Sequence, residues 1–480
     1  MTRGSDGISL GRVTTQLLLS RAVGYLLALG NSVILARVLG AERLGEYTYA
    51  MGIAALFGLL PHLGISTVVT RTIARDPDAG AGVLWAALRA QALLATGVLL
   101  GIPAFALILP EQPVPLGYVI LAAAQLALGT LSWPYLAVLG GRARYDRLAL
   151  AELVTGLVAT LTLLAVALLH GSVAAFLWAQ VLAAGIAVIV ARLAATSFVQ
   201  TGGTEPMRIG ALLRHAAPFG ATTAVQSLYT RLDILLLGQL ASTAALGLYN
   251  VAYKPTNLAV NFGSTVAGTL FPVMAQAREP GAPVAFQRAL RGLSTAGPAM
   301  ALTFSGLATP LLHTLYGSEF TAAALVLSLL AWSAAANWLY APLAVALQAR
   351  GQERWWMISL AGGLALNAAG NIWAIPRWGA LGAAGATLGS EIALLALGTV
   401  LVGRKLGILP SLRPVLVSLG ATAGGAATLW TLGTLGALWA TLAALVVYVG
   451  LLMLFRVVTA EDAAIVSSWV RQAICGWSHG

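Results

Sequence analysis

The sequence predicts an all-α polytopic membrane protein: about 14 transmembrane helices, grouped as two parallel-repeat six-helix lobes plus two extra C-terminal helices. Three observations carry this expectation. First, 59% of the 480 residues are hydrophobic, only 9% are charged, and the mean hydropathy is +0.86, so there is too little charge to cover a soluble globule. Second, the apolar residues gather into long runs separated by short polar gaps. Third, all but six of the 27 Lys and Arg residues lie at the N-terminus, in or beside every second gap, or in the C-terminal tail. That alternation is the positive-inside signature, and it places both termini in the cytoplasm.

Taken in order, the apolar segments lie near 12–37, 44–70, 82–109, 115–140, 149–169, 172–195, 210–240, 245–275, 284–312, 321–349, 354–376, 379–402, 411–433 and 435–458. Segments of this length span a hydrocarbon core of about 30 Å with some tilt. Inside lipid the backbone must satisfy its own hydrogen bonds, so each is expected to be a helix. Pro134, Pro218, Pro255, Pro298 and Pro342 fall within these spans and are expected to kink them. The first apolar run continues past the length of a signal-peptide core and reaches Arg37 with no small-residue cleavage pattern, which predicts a retained first helix.

Gln200-Thr-Gly-Gly-Thr-Glu-Pro206 is a Gly/Thr/Pro-rich linker dividing six helices from eight. The expected organisation is an N-terminal lobe over 1–199, a cytoplasmic linker over 200–209, a C-terminal lobe over 210–405, an extra helix pair over 406–458 and a cytoplasmic tail over 459–480. An internal repeat supports the division. Asn31-Ser-Val-Ile-Leu35 and Leu44-Gly-Glu-Tyr47 recur as Asp233-Ile-Leu-Leu-Leu237 and Leu246-Gly-Leu-Tyr249 at one constant offset. Gly141-Arg-Ala-Arg-Tyr145 pairs with Gly351-Gln-Glu-Arg-Trp355, and Gly171-Ser-Val-Ala-Ala175 with Gly379-Ala-Leu-Gly-Ala383, at slightly larger offsets that small insertions explain. Six helices per copy is an even number, so the copies share one topology, a parallel repeat with its axis along the membrane normal. The helices after 410 have no counterpart in the repeat and are nearly all Ala, Leu, Gly and Val, as expected of an added lipid-facing pair.

Several of these segments resemble the polysaccharide and O-antigen flippases of the multidrug/oligosaccharidyl-lipid/polysaccharide exporter superfamily. The resemblance runs from Leu35-Ala-Arg-Val-Leu-Gly-Ala-Glu-Arg-Leu-Gly-Glu-Tyr47 through Leu228-Tyr-Thr-Arg-Leu-Asp-Ile-Leu-Leu-Leu-Gly238, Gly247-Leu-Tyr-Asn-Val-Ala-Tyr-Lys254 and Phe271-Pro272. It continues in Leu315-Tyr-Gly-Ser-Glu-Phe320, Leu347-Gln-Ala-Arg-Gly351 and Trp378-Gly-Ala-Leu-Gly-Ala-Ala-Gly385. The resemblance implies a two-lobed transporter, not an enzyme, that moves an undecaprenyl-diphosphate-linked oligosaccharide between leaflets of the bacterial inner membrane. It also implies membrane lipids and a polysaccharide polymerase or ligase as partners. The family's lipid II flippases carry two extra C-terminal helices, and the pair here looks similar.

Arg37, Arg43 and Arg377 fall at outer gaps, but Arg21, Arg231 and Lys254 lie well inside predicted helices. An uncompensated cation at a helix centre costs about 2.5–3.5 kcal/mol on insertion scales, so each is expected to face a cavity or a partner. At about 1.5 Å of rise per residue, Arg231 lies about 15 Å before the outer end of its helix and Lys254 about 13 Å after the start of the next, a shared depth. Asn250, Lys254, Asn257, Asn261 and Ser264 recur at spacings of four and three, which places them on one helix face. The preceding helix carries Thr222, Gln226, Tyr229 and Asp233 along one stripe. Ammonium and guanidinium groups bind phosphate oxygens, and amides pair with sugar hydroxyls, so this wall suits a glycosyl diphosphate. Polar side chains in membrane helices also serve simply to hydrogen-bond a neighbour, and Asp233 could neutralise one of the cations. Arg21, with Tyr25 one turn on, supplies the first lobe's buried cation. Asp233 and Glu391 are the acidic groups near mid-membrane; each is a candidate site for a coupling proton or Na⁺, and each has the alternative reading of a partner for polar neighbours.

Other functions are less well served. A drug or cation exporter of the same superfamily calls for acidic groups in the cavity. A membrane polymerase or ligase needs a sizeable outer loop with acid/base residues, and the gap at Ala241–Ala245 has no charge at all. The cations are spread over loops rather than gathered with aromatics, which argues against nucleic acid. The single cysteine, Cys475, excludes an internal disulfide, and no metal-ligand cluster, phosphate-cradling glycine loop or cofactor motif is present in the sequence.

Overall fold

The computed structural model describes residues 10–58, 61, 64–76, 80–109, 112–198, 208–276, 281–408 and 411–458; of 10–22, 215, 217–227, 230, 412 and 435 only the helical backbone is described. The expected linker at 200–206, the whole tail at 459–480 and the side chains of Arg21, Thr222 and Gln226 therefore lie outside the described residues. The protein is an all-α membrane protein. Its helices are α1 (Leu10–Phe57), α2 (Ile65–Arg75), α3 (Gly80–Ile108), α4 (Leu116–Thr130), α5 (Trp133–Gly141), α6 (Tyr145–Leu168), α7 (Val173–Thr196) and α8 (Ile209–Leu240). They continue with α9 (Thr243–Gly268), α10 (Phe271–Ala275), α11 (Ala282–Tyr316), α12 (Ala324–Ala349), α13 (Glu353–Leu406), α14 (Leu412–Leu432) and α15 (Ala437–Leu454).

Among the described residues, 10 helical stretches are long and apolar enough to cross a membrane. Two of them, within α1 and α13, each contain two of the segments expected from sequence, joined across a break. The breaks are at Gly40 (φ 72°, ψ 178°) and Gly379 (φ 54°, ψ −128°), a backbone that a side chain would strain. Helices α8 and α11 match two further expected segments and fall outside the ten. Their apolar runs are interrupted by Arg214, Arg231 and Asp233 in the one and by Arg288, Arg291 and several hydroxyl residues in the other.

Helices α9, α11 and α12 run on through Pro255, Pro298 and Pro342, while Pro134 stands in the first turn of α5. Proline at the first turn sacrifices no helical hydrogen bond, whereas reversing the sign of φ requires glycine.

The chain forms two compact units. Unit 1 takes Met1–Lys254, Leu315–Phe320 and Leu364–Ala383; unit 2 takes Pro255–Thr314, Thr321–Gly363 and Ala384–Gly480. In unit 1, α1 packs against α6, α8 and α4, while α2 lies on α5 and α4 lies between α3 and α7. An apolar core joins Ile65 and Val69 of α2, Val83 and Ala87 of α3, Val138 and Leu139 of α5, and Leu212 of α8.

The repeat read from sequence has a physical counterpart in unit 1. A Cβ on Gly45 would lie 1.8 Å from the Thr243 carbonyl oxygen, and a Cβ on Gly247 would lie 1.9 Å from the Ala41 carbonyl oxygen. Positions 41 and 243, and 45 and 247, are equivalent in the repeat. The contact is thus reciprocal, as local two-fold symmetry between two copies requires. Asn250 donates to Thr48 Oγ1 at 2.8 Å across the same contact, and these two residues, 202 apart, are also equivalent. Glycine is needed here because the backbones themselves touch. The later repeat matches fall at corresponding turns: Gly171 precedes α7, and Gly379 breaks α13.

In unit 2, α14 and α15 form an antiparallel pair. Leu302 of α11 joins Ala421, Tyr448 and Leu452 in one core, and Ser418 Oγ donates to the Ser294 carbonyl at 2.6 Å. Tyr448 donates its hydroxyl to the Thr295 carbonyl at 2.8 Å. The extra helices are therefore pinned to α11 by buried hydrogen bonds as well as by apolar contact, while Trp430 and Trp439 stay exposed. The glycines at 382, 385 and 389 of α13 differ in their surroundings. Gly382 approaches the Ala374 carbonyl, but Gly385 and Gly389 have open space beside them, since a shared helix face does not by itself bring a neighbour against every position.

Candidate functional site

Unit 1 encloses a cavity of about 530 Å³. Helix α1 contributes Asn31, Ser32, Tyr47 and Thr48, the α4–α5 region Gln125 and Trp133, α7 Gln180, α8 Arg231, and α9 Asn250 and Lys254. The 3.6-residue period explains the last pair: Asn250 and Lys254 are four apart, so both project from one face of α9. Arg231 and Lys254 remain exposed to the cavity rather than packed into protein. The ion pair found among the described residues joins Arg144 and Asp146 at 2.6 Å, and neither cavity cation has a carboxylate partner there. Among the described residues, no Asp or Glu lines the cavity.

The other polar groups are held by local contacts. Gln180 donates to the Tyr47 hydroxyl at 3.0 Å, and Asn250 is engaged with Thr48. Asn31 Oδ1 is buried without a protein partner. The cavity thus presents two cations, several amides and one unfilled acceptor, which suits a ligand carrying both negative charge and hydroxyl donors.

Of the residues anticipated from sequence, Arg231, Asn250 and Lys254 come together on this cavity. Tyr25 does not line it and is 42% exposed on α1. Asn257 and Asn261 also fall outside it; they belong to unit 2, where Asn261 donates to Asn257 at 3.0 Å, the interhelix-glue chemistry drawn back onto one helix face. The backbone at Arg21 is helical, but its side chain is outside the described residues.

Asp233 is not among the residues that line the cavity. It is buried, accepting from the Tyr249 hydroxyl at 2.9 Å and from Asn371 Nδ2 at 2.7 Å. It sits two residues from Arg231, so helical geometry turns it about 200° away from that side chain. Asn371 also donates to Asn367 at 2.9 Å, and its Oδ1 has no protein partner. Glu391 is likewise buried, in unit 2, and accepts from Asn337 at 3.2 Å.

Asn31, Gln125, Gln180 and Asn371 are site or near-site residues that sequence reasoning did not single out. One signal was present: Asn31 is the repeat equivalent of Asp233, so a polar position in one copy pointed to the other. Glu319 was also missed. Its carboxylate accepts the Ala41 N–H at 2.9 Å, which caps the second half of α1 just beyond the Gly40 break.

The protein is thus an all-α membrane protein whose broken first helix lines a cationic cavity. Residues 10–278 match the family described as polysaccharide biosynthesis protein, more than half of the chain, and the protein belongs to that family. No curated protein matches it in sequence. Among solved structures, it is similar to the lipid II flippase MurJ in an inward closed conformation, with a TM-score of 0.70, 11% identity, and coverage of 93% of this chain and 99% of that one. It is also similar to an inward-facing multidrug resistance MATE family transporter of the MOP superfamily (TM-score 0.59, 15% identity, 82% and 98% covered). A third is a MOP superfamily transporter from Pyrococcus furiosus described by the reverse polarity of its binding pocket (TM-score 0.58, 16% identity, 84% and 98% covered). At these identities the likeness establishes the fold: that of MOP-superfamily transporters.

Proposed function

We propose that the protein is a flippase that carries an undecaprenyl-diphosphate-linked oligosaccharide from the cytoplasmic to the periplasmic leaflet by alternating access. One observation carries the reading: Arg231 and Lys254 share a polar cavity with no carboxylate to neutralise them among the described residues. Two like charges facing one cavity are unfavourable together unless an anion completes the site, and a diphosphate provides several charged acceptors for them. Asn31, Gln125, Gln180 and Asn250 supply amides of the kind that adapt to varied sugar hydroxyls, so recognition rests on charge, with loose reading of the glycan. A cation exporter of the same superfamily would need the opposite polarity. A polymerase or ligase would need acid/base groups that this cavity lacks among its described residues.

In this reading residues 1–199 and 210–405 are the two lobes, both termini are cytoplasmic, and the pair over 406–458 supports the lipid tail. Arg21 completes the cationic set from the first lobe. Membership in a polysaccharide biosynthesis family and the MurJ-like fold are consistent with a lipid-linked cargo.

The test is binding of an undecaprenyl diphosphate sugar to the purified protein in nanodiscs. Wild-type binding should fall as salt rises. Arg231→Ala or Lys254→Ala should each weaken it roughly ten- to a hundredfold, as expected for losing a charge-assisted hydrogen bond, and Arg21→Gln should weaken it too. Equal binding of undecaprenol lacking phosphate, or unchanged binding in both Arg231→Ala and Lys254→Ala, would overturn the proposal.

A further inference from the structure

A second cavity, of about 580 Å³, lies within unit 2, where the first turns of α11 and α14 meet the end of α15. Arg288, Arg291, Arg413 and Arg456 line it, with Gln287 and Ser411 between them, and among the described residues no carboxylate lines it. The three chain ends are tied together without any ligand. Gln287 accepts the Ser411 N–H at 3.0 Å, and Arg413 reaches the Phe455 carbonyl at 3.4 Å. Four guanidinium groups thus converge on a site whose backbone is already organised.

Arg456 is the most informative of the four. Helix α15 closes with Arg456 N–H on the Met453 carbonyl (3.0 Å) and Val457 N–H on the Leu452 carbonyl (2.9 Å), which puts Arg456 in the left-handed region at φ 53°. This is the helix-ending position that glycine usually holds, because a Cβ is disfavoured there. An arginine at this point is a poorer helix terminator than glycine, and what it adds is a cation in the cavity.

The rim identifies the kind of anion. Pro283, Val284, Pro414 and Val457 complete the lining, and beside it Leu416, Leu454 and Phe455 are 63%, 72% and 51% exposed. A free inorganic anion gains nothing from such a border, whereas an acyl chain lies against it. The Lys/Arg alternation assigns these three helix ends to the cytoplasmic side, where anionic lipid and juxtamembrane basic groups attract each other.

We propose that this four-arginine cavity holds the phosphate headgroup of an anionic bilayer phospholipid, with its acyl chains along the exposed apolar faces of α14 and α15. Guanidinium forks bind phosphate oxygens in pairs, and the cavity leaves room for the headgroup between them. The site is separate from the Arg231/Lys254 cavity and does not depend on what that cavity carries.

Native mass spectrometry of the purified full chain, titrated with phosphatidylglycerol or phosphatidylcholine, tests it. The wild type should retain phosphatidylglycerol and not phosphatidylcholine, and Arg456→Gly should weaken retention by about fivefold, the effect of one basic group near a charged membrane surface. Because glycine suits that backbone, delipidated Arg456→Gly should unfold at the same temperature as wild type or higher, separating lost binding from lost folding. Arg288→Gln should show the same loss without touching the helix end. Equal retention of the two lipids by wild type, or undiminished phosphatidylglycerol retention in both variants, would overturn the proposal. So would displacement of the lipid by millimolar inorganic phosphate, which would mark a free-anion site, or by undecaprenyl diphosphate at lower concentration, which would mark a cargo site.

Discussion

Replacing Gly247 by alanine probes the contact on which the cavity's two walls depend. The new Cβ would start 1.9 Å from the Ala41 carbonyl oxygen, and the backbones must separate by about 1 Å to reach even the 3.0 Å below which such contacts are essentially never seen. Overpacking costs about 1–3 kcal/mol when side chains can adjust, and here the obstacle is backbone, so the upper end, about 3 kcal/mol, applies. For a unit of this size that corresponds to a fall of about 6 °C in melting temperature. The Asn250–Thr48 hydrogen bond lies one turn on and should stretch with it. Gly45→Ala meets the equivalent obstacle, the Thr243 carbonyl at 1.8 Å, and should cost a similar amount. If one displacement relieves both clashes, the double variant will lose less than the sum of the two singles, because the sites share a neighbour. Gly185→Ala is the control, since nothing lies within 4 Å of a Cβ there. The assay is thermal unfolding of purified protein in one detergent. A loss under about 2 °C for Gly247→Ala, indistinguishable from Gly185→Ala, would refute the reciprocal backbone contact.

Two further outcomes are expected. Reporter fusions after Gly202, Gln276 and Gly480 should all report cytoplasm, and an external signal at any one would break the fourteen-helix topology. Asp233→Asn and Glu391→Gln should leave the protein inserted, since an amide can keep a hydrogen bond with the present donors, while removing any stimulation of glycan export by a proton or Na⁺ gradient; export that keeps its gradient dependence in both variants would assign these carboxylates to structure alone.

Much of the architecture follows from the order of residues, because lipid leaves the backbone few choices. An apolar run of the right length must become a helix, and alternate placement of Arg and Lys then sets which gaps lie on the same side. Matching segments at one constant offset pointed to a repeat, and with it to the equivalence of Gly45 with Gly247 and of Thr48 with Asn250. Period alone put Asn250 and Lys254 on one face of α9, and rise per residue brought Arg231 to their depth. Tertiary structure decided what those positions do. Periodicity names a face but not what lies against it, so Asn257 and Asn261 shared the stripe yet lie outside the cavity, and Asp233, two residues from Arg231, is buried against Tyr249 and Asn371. Asn371 and Glu319 act on residues more than a hundred positions away, and no local pattern encodes such a meeting. The two sharp breaks, at Gly40 and Gly379, fall where one expected segment gives way to the next, but many glycines permit a reversed φ and only the surrounding packing selects which of them adopt it.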